Sequence, residues 1–487
     1  MTPRASLALA VLLTARLVPT AAAQDAVKRA AEPPPKFREQ TVSPAPAPIP
    51  TFKYRLMPSS ARLAPGDGAP ILLRLRYDPS DRDWGEIATN ARTWAELPVG
   101  PPLPPAAGAT VEKWRKSLDL LAAGVRRESC DWGYPIREQA VDVIDLAMPD
   151  AQTMRTWGWL QAVKARCEID RGDYAAASRS LETGFALGGK VAEGPFLING
   201  MVGVAIDMIQ LDAVEAWVAA PGSPNLYWAL TDLGRPLVSF DRAVDQERLL
   251  IERSIPELAD ESEPTTPEGW SIRLAAIDRR MRGLAARVFP PGDPKPGEQE
   301  PYLRASLGAD LAEYKRLHLD EFRRRLVESG GFPTDRVRAM TDDEAAARGV
   351  VLAYRTVWDG LFRDWRLTFN EAIERESAAD AERAEAKRGP AALFVAFSPH
   401  LESGRLAMSR LDRRVAMLRA VEAIRMHAAA NGGKLPAALK EIREVPVPVD
   451  PSTGKPLVWS VDGDVATLSV PEPKRFTLDY RIAIRRP

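Results

Sequence analysis

The sequence predicts a mainly α-helical protein of stacked helical hairpins, tetratricopeptide-like at best, ending in a small α+β module of antiparallel strands on a helix. Three observations predict it. From Val111 onward, apolar residues recur at helical spacing, beginning with Trp114, Leu118, Leu121 and Val125. Pro or Gly separates most of the periodic segments that follow. Near the C-terminus the period shortens to two, with Phe476, Leu478, Tyr480, Ile482 and Ile484 alternating with Thr477, Asp479, Arg481 and Ala483.

The chain has 487 residues, 45% hydrophobic and 27% charged, which suits a globular protein of roughly two to four domains. Lys and Arg total 66, and so do Asp and Glu. No global field therefore favours nucleic acid or anionic lipid, and partners must be selected by local surfaces.

Residues 1–23 read as an export signal: Arg4, an apolar run from Ala5 to Val18, a breaker at Pro19, then Ala21-Ala22-Ala23. Cleavage after Ala23 is expected, with an uncleaved anchor as the alternative; no later segment is expected to span a membrane. Residues 24–50 read as a Pro-rich linker, stiff and extended because its prolines lack backbone donors. A small irregular segment over 51–110 follows, with a Pro-Gly-Asp-Gly turn before the apolar stretch Ile71 to Tyr77.

The helical-hairpin domain is placed at 111–289, with helices over Ile136–Met148, Ala151–Asp170, Tyr174–Leu187, Phe196–Ala219 and Ser239–Leu258. Phe196–Ala219 is apolar nearly all round and marks the buried centre. "GDYAAASRSLETGFAL", Gly172–Leu187, resembles the second helix of a tetratricopeptide hairpin, a single match where a solenoid needs several. A linker at 290–301 divides this domain from long helices over 302–404. The first covers Tyr302–Glu328, and the second carries the stripe Val350, Tyr354, Val357, Leu361, Trp365, Phe369 and Ile373, with a charged, solvated end. The final module, 405–487, opens with the stripe Leu411, Val415, Leu418, Val421 and Ile424, capped at Asn431-Gly432-Gly433. Asp462-Gly463 then signals a two-residue hairpin turn.

The catalytic inventory is thin. "GFALGGKV", Gly184–Val191, has phosphate-loop spacing, but Val191 replaces the magnesium-binding hydroxyl and no strand precedes it, so it reads as the turn ending a helix. His318 and Glu321 are the candidate metal pair at i, i+3, although three or more ligands are needed. No Gly-x-Ser-x-Gly elbow and no dinucleotide fingerprint occurs, and no catalytic or cofactor-binding residue can be assigned. Asn225, Tyr227 and Trp228, in "PGSPNLYWAL", form the candidate binding surface, a loop start with exposed-looking aromatics. Cys130 and Cys167 are able to pair in an oxidising compartment, but each also adjoins an apolar helical pattern where free buried cysteine is common.

"KYRLMPS", "CDWGYP", "AEGPFLINGMVGVAI" and "PGSPNLYWAL" resemble a family of secreted proteins of planctomycete-type bacteria. That resemblance implies export and a helical fold, and no activity. The C-terminal module is similar to the globular part of type II secretion pseudopilins, with Gly433, Pro436, Asp450, Pro451, Gly454, Lys455, Pro456 and Trp459 in the corresponding places. The prepilin N-terminal helix and the calcium-binding end of that family have no counterpart here. The expectation is an exported, non-enzymatic binding or scaffolding protein whose partner is a protein or another cell-envelope component. The alternatives are a secretion-apparatus accessory and an extracytoplasmic carboxylate- or metal-dependent enzyme.

Overall fold

The computed structural model describes residues 37–77, 84–134, 149–288, 311–471 and 477–485. The expected signal, the helix at Ile136–Met148 and the linker at 290–301 lie outside them, as does the start of the helix expected from Tyr302. The described chain is mainly helical and divides into two compact units. The larger takes in the described residues up to Ala243 together with those from Gly404 onward, and the smaller takes in those between.

The larger unit opens with β1 (Arg38–Val42), β2 (Ala64–Asp67) and α1 (Ala69–Leu72), then α2 (Trp84–Ala95), α3 (Pro105–Lys113), α4 (Arg115–Val125) and β3 (Arg127–Ser129). The expected irregular segment thus holds a twelve-residue helix, α2, whose Ile87, Ala91 and Ala95 are buried at four-residue spacing. Trp114 sits between α3 and α4 with φ −100°, so the stripe from Trp114 to Val125 bends at its first member while all four side chains stay buried.

Three long helices make the centre of this unit: α5 (Pro149–Asp170), α6 (Tyr174–Ala192) and α7 (Leu197–Ala219), each packed on the other two. Gly172, at φ +73°, makes the turn between the first two, and the Asp173 carboxylate caps α6 by accepting from the Ala176 N–H. α6 continues five residues past its expected end. "GFALGGKV" is helical throughout and is not a terminal turn, because Gly188 lets α7 approach: a Cβ on Gly203 would lie 2.6 Å from the Gly188 carbonyl oxygen. The cost of helical glycine is offset by backbone contact that no larger residue permits. α7 is the one described helix long and apolar enough to cross a bilayer, and 78% of that window is buried inside the protein. The short α8 (Tyr227–Thr231) follows.

The smaller unit holds most of α9 (Asp241–Ser254), then α10 (Pro267–Val288), α11 (Leu311–Glu328), α12 (Thr334–Ala339), α13 (Asp342–Trp365), α14 (Phe369–Ala386) and α15 (Ala392–Ala396). The stripe expected to run unbroken to Ile373 is interrupted after Trp365. Thr368 starts a new helix by accepting from the Glu371 N–H, while the Glu371 carboxylate accepts from the Thr368 N–H, a capping box. α14 has no fully buried residue, in keeping with its charged sequence.

The larger unit resumes in α16 (Leu401–Ala430) and ends in β4 (Val458–Asp462), β5 (Val465–Ser469) and β6 (Asp479–Ile484). The strands β4, β5 and β6 are antiparallel, and the hairpin tip is Gly463-Asp464, one residue later than expected. Ala466, Leu468, Tyr480 and Ile482 form the buried face.

The linker expectation for 24–50 fails from Arg38 onward. β1 adds to the sheet parallel to β6, pairing Arg38 with Tyr480 and Val42 with Ile484, for a strand order β1-β6-β5-β4. Residues 38–43 contain no proline, so every backbone N–H of β1 is present for a ladder before Pro44. Gln40 and Val42 alternate inward.

Candidate functional site

The candidate binding surface is structural. Asn225 and Tyr227 are almost wholly buried, and Trp228 is half-buried. The Asn225 amide donates to the carbonyls of Ala45 (3.3 Å) and Glu422 (2.9 Å), and the Tyr227 hydroxyl donates to the Pro446 carbonyl at 2.5 Å. The segment before Tyr227 is a loop whose polar groups satisfy neighbouring backbone and face no solvent. Trp157 and Trp217 are likewise core residues, Trp217 donating its indole N–H to Pro224 at 2.8 Å.

His318 and Glu321 do not converge on an ion. The His318 ring packs between Tyr314 (centroids 4.7 Å apart) and Phe322 (6.1 Å), and burial pushes its imidazole below the ordinary value. Glu321 accepts from Arg324 and Arg325 on the next turn. Among the described residues no three His, Cys, Asp or Glu side chains gather as a metal-binding group.

Cys130 and Cys167 are both free and buried. Burial pushes the Cys167 thiol up to about 11 and that of Cys130 higher, so neither supplies a thiolate at neutral pH. Lys190, the lysine of the phosphate-loop-like stretch, has a structural task. Its ammonium donates to the Glu128 carbonyl (3.0 Å) and pairs with Glu193 (2.7 Å), while the Glu193 carboxylate also accepts from the Cys130 N–H (2.7 Å).

The larger unit holds three polar constellations whose pairings join residues far apart in the sequence. The first joins α7, α16, β1 and β6. Arg414 pairs with Asp212 (2.5 Å) and Glu215 (2.8 Å), Arg38 pairs with Glu215 (2.6 Å) and Asp212 (3.3 Å), and Tyr480 donates to Glu215 at 2.5 Å. Burial opposes the Asp212 charge, but Arg414 and Arg38 outweigh it and hold the carboxyl below its ordinary range. Burial and the Glu215 carboxylate together keep Tyr480 protonated. Two guanidinium groups balance two carboxylates, so the cluster closes on itself.

The second constellation is built on the turn Asp450–Leu457, "DPSTGKPL", which holds the Asp450, Pro451, Gly454, Lys455 and Pro456 of the pseudopilin-like pattern. Asp450 is wholly buried and accepts a fork of hydrogen bonds from Arg413 on α16, at 2.8 and 2.9 Å. The same carboxylate accepts from the Ser452 N–H and the Thr453 hydroxyl, and Gly454, at φ +68°, lets its own N–H return to the Asp450 carbonyl. The turn is clamped to the helix, and Lys455 stays exposed outside it. The third is Glu422 with Arg425 (2.9 Å), whose guanidinium also donates to Ser43 and Ser223 and so fixes the segment after β1.

Asp207 stands apart. It is wholly buried on α7 against Gly188, and neither carboxyl oxygen has a hydrogen-bond partner. Burial raises its pKa well above the ordinary carboxylate range, so the group is held neutral.

The smaller unit carries a crevice of about 400 Å³, counting its open mouth, lined by Leu274, Ile277, Met281, Val350 and Leu393 with the Asp278–Arg282 ion pair beside it. The C-terminal hairpin carries a further accessible apolar surface. Val458, Val461 and Val465 are 51%, 41% and 40% exposed, and Val449 lies exposed on the approach to the same strands. Compared with known protein families, characterised proteins and solved structures, the chain matches none.

Proposed function

We propose that this chain is an exported, non-enzymatic binding or scaffolding protein of the cell envelope, and that it binds through the outer strand of its C-terminal sheet. The observation that carries this role is the β4 edge: exposed valines on a strand that, among the described residues, has a neighbour on one side only, in a module clamped by Asp450 and Arg413. A clamped support with an open, apolar edge suits recognition of an extended segment or another sheet. The matched charges of the first two constellations support the non-enzymatic part, since Arg38 and Arg414 pair with Asp212 and Glu215, and Arg413 with Asp450. Export rests on the signal-like residues 1–23 and on the resemblance to secreted proteins.

Affinity capture from an envelope fraction tests the role, using the full chain and a Val461→Lys variant side by side. The expected result is a captured component lost with the variant. Equal capture by both chains would remove β4 from the proposal, and recovery of the protein only in the cytoplasm would remove export. A secretion-apparatus accessory role is the second reading. It is favoured by the helix, clamped turn and antiparallel strands that follow one another in the pseudopilin-like order.

A further inference from the structure

The open edge of β4 has a hydrogen-bonding phase and a side-chain order that select an occupant. Asp462 and Val465 flank the two-residue tip, so they exchange both main-chain hydrogen bonds. Bonding then alternates along the hairpin. Ser460 and Val458 face Thr467 and Ser469 in the bonded positions, and Trp459 and Val461 turn their N–H and C=O groups outward, away from β5. Among the described residues no backbone hydrogen bond reaches those two outward-facing positions. Nor does β4 carry the proline or lysine that commonly blunts an edge.

We propose that β4 pairs antiparallel with β4 of a second copy of this chain, about a twofold axis at Ser460, joining the two sheets edge to edge. This deepens the binding role proposed above and rests on it. In that register Trp459 and Val461 of the second copy meet as a bonded pair, once on each side of the axis, supplying four main-chain hydrogen bonds. Both belong to the face that carries Leu468 and Ala466 inside each sheet, so apolar meets apolar. The charge order agrees: Asp462, the one charged residue of β4, falls opposite Val458 of the other copy, and the two carboxylates lie at opposite ends of the pair. A shift of two residues would lose half the apolar pairs, and a shift of one would put bonded positions against non-bonded ones.

The test uses the full chain in sedimentation velocity across a concentration series, together with disulfide crosslinking through one introduced cysteine, the natural chain with its buried Cys130 and Cys167 serving as the control. Ser460→Cys places two sulfurs across the axis at the separation of a non-bonded pair, which a disulfide can span, whereas Val458→Cys faces Asp462. The expected results are a concentration-dependent dimer, a crosslink in S460C and not in V458C, and dimerisation about tenfold weaker or worse in V461K with its thermal melting unchanged. Should V461K melt early, S460C still reads the register. A monomer at every concentration, equal crosslinking of S460C and V458C, or a dimer indifferent to V461K overturns the inference. A monomer that nonetheless captures an envelope protein in a V461K-sensitive way assigns the edge to that protein and leaves the binding role standing; loss of both removes the role as well.

Discussion

At the scale of single residues, the larger unit separates charges that are answered from one that is not. Arg414, Glu215 and Tyr480 answer one another deep in the protein, so removing one member strands the rest. Arg414→Ala should cost about 3–5 kcal/mol, measured by chemical denaturation, because it leaves Glu215 with less than its buried charge requires. Asp207 is the opposite case. Its folded pKa lies above the unfolded value of about 3.9, so the stability tied to its proton is complete below that pH and is lost as pH rises through the folded value. Asp207→Asn, which has no proton to lose, should melt about 2–4 °C higher than the natural chain at pH 8 and no higher at pH 3.5. A melting gap independent of pH would show that Asp207 is charged in the fold.

At the scale of elements, the approach of α6 to α7 depends on glycine. Gly188→Ala would drive a methyl into Asp207 and the Gly203 carbonyl, and should destabilise the larger unit by about 1–3 kcal/mol, read as a shift in the denaturation midpoint. Gly189, beside it, meets nothing and should tolerate alanine with a loss near zero, apart from its gain in helix propensity. The sequence made the helices legible because their apolar periodicity survives in the fold: α5 and α7 start and end close to their expected places, α6 starts at its expected place, and α16 ends at its expected cap. It also made the C-terminal alternation legible. What it concealed depends on distant partners. The glycines of "GFALGGKV" look like a turn until α7 is known to pass beside them. The prolines around β1 look like a tether until β6 is known to need a neighbour. The aromatic loop at Tyr227 looks exposed until Pro446 and Glu422 are known to close over it. The break after Trp365 was legible in principle, since Thr368 and Glu371 carry the spacing of a capping box.

At the scale of the whole molecule, the proposed binding edge lies at the far side of the sheet from β1, and no residue of the buried Arg414 cluster lies on β4. Substitutions such as V461K should therefore change association without changing stability, whereas substitutions in the Arg414 cluster should do the reverse. The joining of β1 to β6 also governs how the larger unit can be made. Arg38 must wait for Tyr480, more than four hundred residues later in synthesis, before its ladder can form. Until then the first strand and Glu215 both lack their final partners, so a ribosome-bound or partly translocated chain cannot complete this unit however much of it has emerged. Loss of a few residues at Asp479–Ile484 would be felt at the opposite end of the polypeptide.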